Sequence, residues 1–191
     1  MEIFVNTTST NPKLPVVIWN KSRILKWSDF KKNADSEDKA SAVSAIGFES
    51  EPIIEYINTE SKFKFKILEM KLNAIFIPDF SWVMKNIRVE DSALLLKHEQ
   101  GHFDLAEEIT RKTRIKTTNY FKNRTFAVKG KNKDNAKKEA ILQANKIRKG
   151  MDRKLQNELN SQETKYDETT NHGLVINCQE KYNKRFRKLR E

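Results

Sequence analysis

The sequence predicts an α+β protein in which an N-terminal β-sheet is followed by two long helices. In the N-terminal part, apolar side chains alternate with lysines at the period of a half-buried strand. From residue 91 onward, apolar residues recur at helical spacings instead. This order, strands first and helices after, favours a single domain over residues 1–191, strand-rich over 1–80 and helical over 91–191.

The clearest strand signal lies between residues 62 and 77. Phe63, Phe65 and Ile67 alternate with lysines, and from Leu68 onward the apolar residues fall on the opposite phase. A change of phase within one long strand predicts a β-bulge or a turn. Two shorter β-prone runs, VVIW and RILKW, come earlier and add predicted strands.

Two long helices are predicted in the second half of the chain. The first begins at Asp91 or Ser92, either of which can cap it, and no proline interrupts it before residue 118. A polar break follows, and the second helix is predicted from about Asn135 to Gln162. From Lys165 the chain is predicted to open as a polar loop and to close as a short basic helix.

The stretch LLLKHEQGHFDLAEE, residues 94–108, contains two of the three histidines in the chain. On a helix, residues four apart differ by about 40°, so His98 and His102 project side by side. Two neutral imidazoles in this arrangement can bind one Zn²⁺. Glu99 lies at the flank of the same face, where it can act as a general base without being a ligand. The spacing therefore predicts a zinc site on this helix.

A catalytic zinc site needs a third protein ligand, and three residues are candidates. Glu108 lies six residues after His102, but on an unbroken helix it is about 9 Å further along the axis and about 120° away. His172 is the remaining histidine, in the segment YDETTNHG. We predict His172 as the ligand, with Asp167 of the same segment as the carboxylate alternative. Tyr166 is predicted to donate a hydrogen bond to an oxyanion.

The chain resembles a bacterial family catalogued as domain of unknown function 922, which consists of predicted secreted zinc-dependent proteases. The resemblance rests on LLKHEQGHFDLAE at 95–107 and on YDETTNHG at 166–173, with shorter matches RILKWSDF at 23–30, SAIGF at 44–48 and SWV at 81–83. It implies zinc on His98 and His102 with Glu99 as the catalytic residue, the rest of the site coming from the tail segment. We therefore expect a zincin-like zinc metallopeptidase that hydrolyses peptide bonds.

Charge is unevenly distributed along the chain, whose net charge is +11. Residues 1–110 contain 14 Lys and Arg against 17 Asp and Glu, whereas residues 111–191 contain 23 against 9. A basic half can attract anionic polymers or membrane surfaces. The alternative hypothesis is therefore a non-catalytic basic binding module with structural zinc or none. No specific nucleic-acid motif accompanies the charge.

Few features of the sequence bear on the cellular location of the protein or on its association with membranes. No apolar run approaches the roughly 18–20 residues that span a bilayer, and no signal-peptide pattern is visible at the N-terminus. One cysteine, Cys178, excludes a disulfide within the chain. Since members of the resembled family usually carry an export signal, we expect an extracytoplasmic protein, with a cytoplasmic one as the alternative.

Overall fold

The α+β class is confirmed by the computed structural model, which describes residues 2–5, 14–34, 40–59, 62–85 and 89–191. Among these residues, seven strands and three α-helices follow one another along the chain. In chain order they are β1 (Glu2–Val5), β2 (Val17–Ile18), β3 (Ala42–Val43), β4 (Ile46–Thr59), β5 (Lys62–Phe76), β6 (Trp82–Val83), α1 (Val89–Phe121), β7 (Phe126–Val128), α2 (Lys133–Thr170) and α3 (Ile176–Arg187).

Five of the strands form one sheet, in the order β1-β4-β5-β2, with β7 also paired with β5. The pairings for which a register is defined are antiparallel: Val5 lies opposite Ile53, Val17 opposite Phe76, and Phe63 opposite Val128. The short strands β3 and β6 pair separately, with Val43 opposite Trp82. No helix in the described part of the chain has the length and apolar character to cross a membrane.

The chain divides into two compact units, each built from several segments. Unit 1 contains residues 1–11, 49–72 and 110–155, and unit 2 contains residues 12–48, 73–109 and 156–191. Each unit has its own buried apolar residues: Phe65, Leu72 and Phe121 in unit 1, and Leu25 and Phe103 in unit 2. The prediction of a single domain over 1–191 stays a prediction.

Strand β5 has the phase change that the sequence predicts. Phe65 and Ile67 are buried, Leu68 and Glu69 are both exposed, and burial then resumes on the opposite phase at Met70. The strand nevertheless runs unbroken from Lys62 to Phe76, so no turn interrupts it. The two consecutive exposed residues allow one strand to present apolar side chains to the core on both sides of the shift.

The RILKW run does not form a strand, contrary to expectation. A single 3₁₀ turn over Trp27–Asp29 follows it instead. The Asp29 carboxylate accepts a hydrogen bond from the backbone N–H of Lys26 at 2.8 Å and pairs with the Arg23 guanidinium at 2.6 Å. These local bonds satisfy backbone and side-chain groups that a sheet ladder would otherwise need to engage.

The second long helix is longer than predicted, because α2 continues to Thr170. Its last turns carry Tyr166 and Thr170, which are both 0% exposed. Packing of these side chains in unit 2 outweighs the polar composition that favoured a loop from Lys165. The polar break after α1 also contains a short strand, β7, in which Val128 is buried. The final basic helix is confirmed as α3.

Candidate metal centre

Helix α1 presents its two histidines on one buried face of unit 2. His98 is 1% exposed and His102 is 8% exposed. Their Nε2 atoms are 3.2 Å apart, as expected for residues one helical turn apart that point in the same direction. Gly173 lies against the other side of His98, where a Cβ at residue 173 would be 3.1 Å from Cβ of His98. The histidines therefore project into the protein.

The last turn of α2 brings a carboxylate to the same point. Oδ1 of Asp167 is 3.1 Å from Nε2 of His98 and also 3.1 Å from Nε2 of His102. The three atoms form a nearly equilateral triangle with sides of 3.1–3.2 Å. Two imidazole nitrogens and a carboxylate oxygen that converge in this way require a cation, either a proton or a metal ion, between them.

The triangle has the dimensions that a tetrahedral zinc site requires. Ligands about 2.0–2.1 Å from zinc at tetrahedral angles lie about 3.3–3.4 Å apart. The observed sides are 0.1–0.3 Å shorter than this spacing, so only a small outward movement would admit the ion. The donor set, two imidazoles and one carboxylate, also belongs to the ligand types that zinc uses in catalytic sites. The residues present therefore fit a zinc ion.

His172 lies at the edge of this cluster. Its Nδ1 is 3.8 Å from Oδ1 of Asp167, and its ring centroid is 5.9 Å from that of His98. The side chain is 69% exposed. It sits in the turn that ends α2, in which Asn171, His172 and Gly173 all have positive φ. The structure thus brings His172 close to the site, with ligand atoms of His172, His98 and Asp167 all within 4.8 Å of one another.

Glu99 is buried beside the histidines. It is 4% exposed, and it can place a carboxylate oxygen within 4.8 Å of ligand nitrogens of both His98 and His102. Its position one residue after His98 puts it at the flank of the histidine face, as the sequence predicts. On the far side of His102, the Glu163 carboxylate is 3.5 Å from Nδ1, near enough for ionic attraction but without hydrogen-bond geometry.

The histidines and carboxylates of this cluster shift one another's pKa values. Burial alone would lower the pKa of His102, but the hydrogen bond to Asp167 and the carboxylates of Glu163 and Glu99 raise it to about 10. Burial alone would raise the pKa of Asp167, but its hydrogen bonds to His102 and His98 hold it well below its usual range. Without a metal the cluster therefore holds a proton, which a metal ion would displace on binding.

Tyr166 packs against the imidazole ring of His98. Its ring stacks on the imidazole of His98, with centroids 4.6 Å apart and planes 13° apart. Its hydroxyl lies 3.2 Å from the carbonyl oxygen of His98 and 2.7 Å from Nε2 of Gln179, which donates to it. Burial raises the pKa of the hydroxyl well above its usual value, so Tyr166 stays protonated. The role of Tyr166 as an oxyanion donor stays a prediction; in the structure its hydroxyl is hydrogen-bonded to the carbonyl oxygen of His98 and to Gln179.

Gly101 makes room for that tyrosine. A Cβ at residue 101 would be 2.0 Å from Oη and 2.6 Å from Cζ of Tyr166, distances at which atoms overlap. Since the Tyr166 ring is fully buried, it has no space into which to move. A glycine in mid-helix is thereby explained by close packing with another side chain.

Replacing Gly101 with alanine is expected to destabilise the protein. The gain of about 1 kcal/mol in helix propensity is outweighed by overpacking against Tyr166, leaving a net loss of about 1–2 kcal/mol. Thermal unfolding with and without zinc measures the loss. Gly150→Ala is the matched control, because a Cβ at this other helical glycine would meet nothing within 4 Å and should stabilise the helix. Equal effects at the two glycines would contradict the explanation.

Gln179 and Thr170 complete the surroundings of His98, and neither was singled out in the sequence. Oε1 of Gln179 is 3.2 Å from Nδ1 of His98, and Oγ1 of Thr170 is 3.5 Å from the same atom. An acceptor at Nδ1 places the imidazole proton there and leaves Nε2 free to bind a metal. Gln179 is 3% exposed and comes from the first turn of α3. Only the folded arrangement identifies it, since a glutamine on a basic helix carries no distinctive sequence signal.

Asp104 and Glu108, also on α1, have structural partners instead. Asp104 is 5% exposed and accepts hydrogen bonds from Nε1 of Trp19 at 2.7 Å and from Nε2 of Gln100 at 3.0 Å, and it pairs with Arg190. Glu108 accepts a hydrogen bond from Nε of Arg185 at 2.6 Å. The carboxylate of Glu108 is thus directed toward α3, in keeping with the geometric argument against it as a zinc ligand.

Comparison with known proteins identifies no relative: no protein-family model matches the chain, and neither does any curated protein or solved structure. The resemblance to the family described above therefore stays a prediction.

Proposed function

We propose that this protein is a zinc-dependent metallopeptidase whose metal is held by His98, His102 and Asp167. The observation that carries the proposal is the triangle of two Nε2 atoms and one carboxylate oxygen, with sides of 3.1–3.2 Å. Asp167 replaces His172 as the first choice for third ligand, because its oxygen is equally close to both histidines. Three protein ligands leave one coordination position open, as in catalytic zinc sites.

When bound, zinc would lower the pKa of a coordinated water to about 7 and polarise a substrate carbonyl. Residues of this chain would transfer the proton and hold the metal ligands in position. The Glu99 carboxylate would accept the proton of the attacking water and then deliver it to the nitrogen of the departing amine. Gln179 would fix the tautomer of His98, and stacking on Tyr166 would hold the orientation of its ring.

The position of His172 bears on whether a bound zinc would be catalytic or structural. If its imidazole were a fourth protein ligand, the site would be closed, as structural zinc sites are. The His172 side chain is 69% exposed, and its Nδ1 is 3.8 Å from the Asp167 oxygen, further than the 3.1–3.2 Å sides of the triangle, which favours an open site. A non-catalytic module with structural zinc would require the turn at 171–173 to move inward and close the fourth position.

Metal removal tests the proposal. The zinc-loaded chain is expected to generate new N-termini in a complex mixture of denatured proteins, and the chelator-treated chain to generate none. Restoring one equivalent of zinc should restore cleavage, because the ion is held by residues already in place. New N-termini can be identified and counted by mass spectrometry. A zinc-loaded chain that binds the metal at one ion per chain but produces no cleavage would favour the structural role.

A further inference from the structure

The excess positive charge of this protein belongs entirely to unit 1. Unit 1 contains 20 Lys and Arg against 9 Asp and Glu, a net charge of +11, whereas unit 2 contains 17 of each and is neutral. Within unit 1 the segment 110–155 alone contains 16 basic and 3 acidic residues. The unit with the candidate metal centre therefore contributes none of the net charge. The proposed metal site does not explain the positive charge of unit 1.

Part of this charge forms a line along one face of α2. Lys138, Lys146, Lys149 and Arg153 lie within about 80° of one another around the helix axis and extend over about 22 Å along it. All four side chains are exposed, and none forms an ion pair with another residue that the structure describes. We call these four residues the basic stripe. Leu142, 64% exposed, lies within it.

The opposite face of α2 is buried within the protein. Ala136, Ala140, Ala144 and Leu155 are at most 3% exposed. A helix that lies in a membrane interface buries an apolar face among the lipids, and α2 has no such face left to offer. Leu142 is the one large apolar side chain in the stripe. Electrostatic attraction to a linear polyanion is therefore the interaction that the stripe suits best.

We propose that the basic stripe binds the phosphodiester backbone of nucleic acid without reading its sequence. A line of cations along one face of a helix can lie against a line of phosphates, and each neutralised phosphate releases condensed counterions. Three of the four cations are lysine ammonium groups, which bind phosphate as point charges and carry little geometric preference for particular bases, and the fourth is the guanidinium of Arg153. This proposal does not depend on the metal centre.

Binding to DNA measured at several salt concentrations tests the proposal. A labelled duplex of about 20 base pairs should bind the full chain, with equal affinity for two unrelated sequences, and the logarithm of the binding constant should fall linearly with the logarithm of salt concentration. Replacing Lys138, Lys146, Lys149 and Arg153 together with glutamine should make the slope shallower by about 3.6, which is 0.9 for each of the four cations, and weaken binding at least tenfold at low salt.

The matched control removes the same charge from the other unit. Lys181, Lys184, Arg187 and Lys188 are exposed residues on or next to α3, and their replacement with glutamine also lowers the net charge by four. We expect the slope for this control to change by less than about 1, since unit 2 is neutral overall. The single variant Lys149→Gln, with an expected change of about 0.9, serves if the fourfold variant does not fold.

Three outcomes would overturn the proposal. One is a wild-type chain that does not bind DNA at low salt. Another is an equal loss of affinity in the α2 and α3 variants, which would show that only total charge matters. The third is binding to vesicles rich in phosphatidylglycerol that depends on the stripe without any binding to DNA, which would assign the stripe to a membrane surface.

Discussion

Replacing Glu99 with glutamine is expected to lower the rate of peptide-bond hydrolysis by a factor of about 10² to 10⁴ while leaving the bound zinc in place. Glutamine has nearly the size of glutamate, so the buried position beside His98 and His102 stays filled. It cannot accept a proton, however, and the attacking water loses its base. Initial rates on a substrate identified from the protein mixture, together with the zinc content of the same sample, measure both effects.

Glu168→Gln is the matched control for this variant. Glu168 is an exposed carboxylate on α2, next to Asp167, so its replacement removes one negative charge near the site without removing the proposed base. We expect its rate to stay within about threefold of wild type. Two results would contradict the role of Glu99: a Glu99→Gln variant with the wild-type rate, or one that loses both zinc and activity, as a metal ligand would.

Replacing Asp167 with alanine is expected to weaken zinc binding by more than about 100-fold, the largest effect predicted for any residue of α2. Removal of Asp167 takes away the oxygen that lies 3.1 Å from both Nε2 atoms. It also removes the negative charge that holds the two imidazoles together. A competition titration against a chelator of known affinity, at fixed pH, measures the loss for wild type and variant.

His172→Ala is the informative comparison, because the sequence favoured His172 as the third ligand. Its exposed ring lies outside the triangle, so we expect its loss to weaken zinc binding by less than about tenfold. Glu108→Ala should change zinc affinity by less still, since that carboxylate is bound by Arg185. A larger loss at His172 than at Asp167 would return His172 to the position of third ligand.

The part of the site on α1 could be predicted from sequence because it depends on local geometry alone. Residues four apart on a helix must lie side by side, so His98 and His102 were placed by their spacing. The same reasoning put Glu99 at their flank. Gly101 lies on the same helix, and only the packed Tyr166 ring explains why residue 101 is a glycine.

The ligand that comes from far along the chain could not be ranked in the same way. Asp167 and His172 both lie in a polar segment that composition assigned to a loop. Burial of Tyr166 and Thr170 keeps this segment helical through Thr170 and directs Asp167 toward the histidines. Helix length here is decided by tertiary packing, which single-sequence patterns do not contain. His172 was favoured for its residue type, and residue type does not report distance.

The β-structure shows a similar division between local and long-range signals. The burial pattern of β5, including its change of phase, could be predicted from sequence because burial on a strand follows a period of two. Strand β7 has three residues within a polar stretch, and it forms because β5 offers it a partner at Phe63–Phe65. Conversely, RILKW has β-prone residues but forms no ladder, since Arg23 and Lys26 bond to Asp29.

A crystal structure of the chain grown with zinc, with anomalous diffraction recorded at the zinc absorption edge, would locate the metal. We predict one strong peak in unit 2, within bonding distance of Nε2 of His98, Nε2 of His102 and Oδ1 of Asp167, with a water completing the coordination. A peak elsewhere, or one that includes His172 and excludes water, would contradict the proposed catalytic centre.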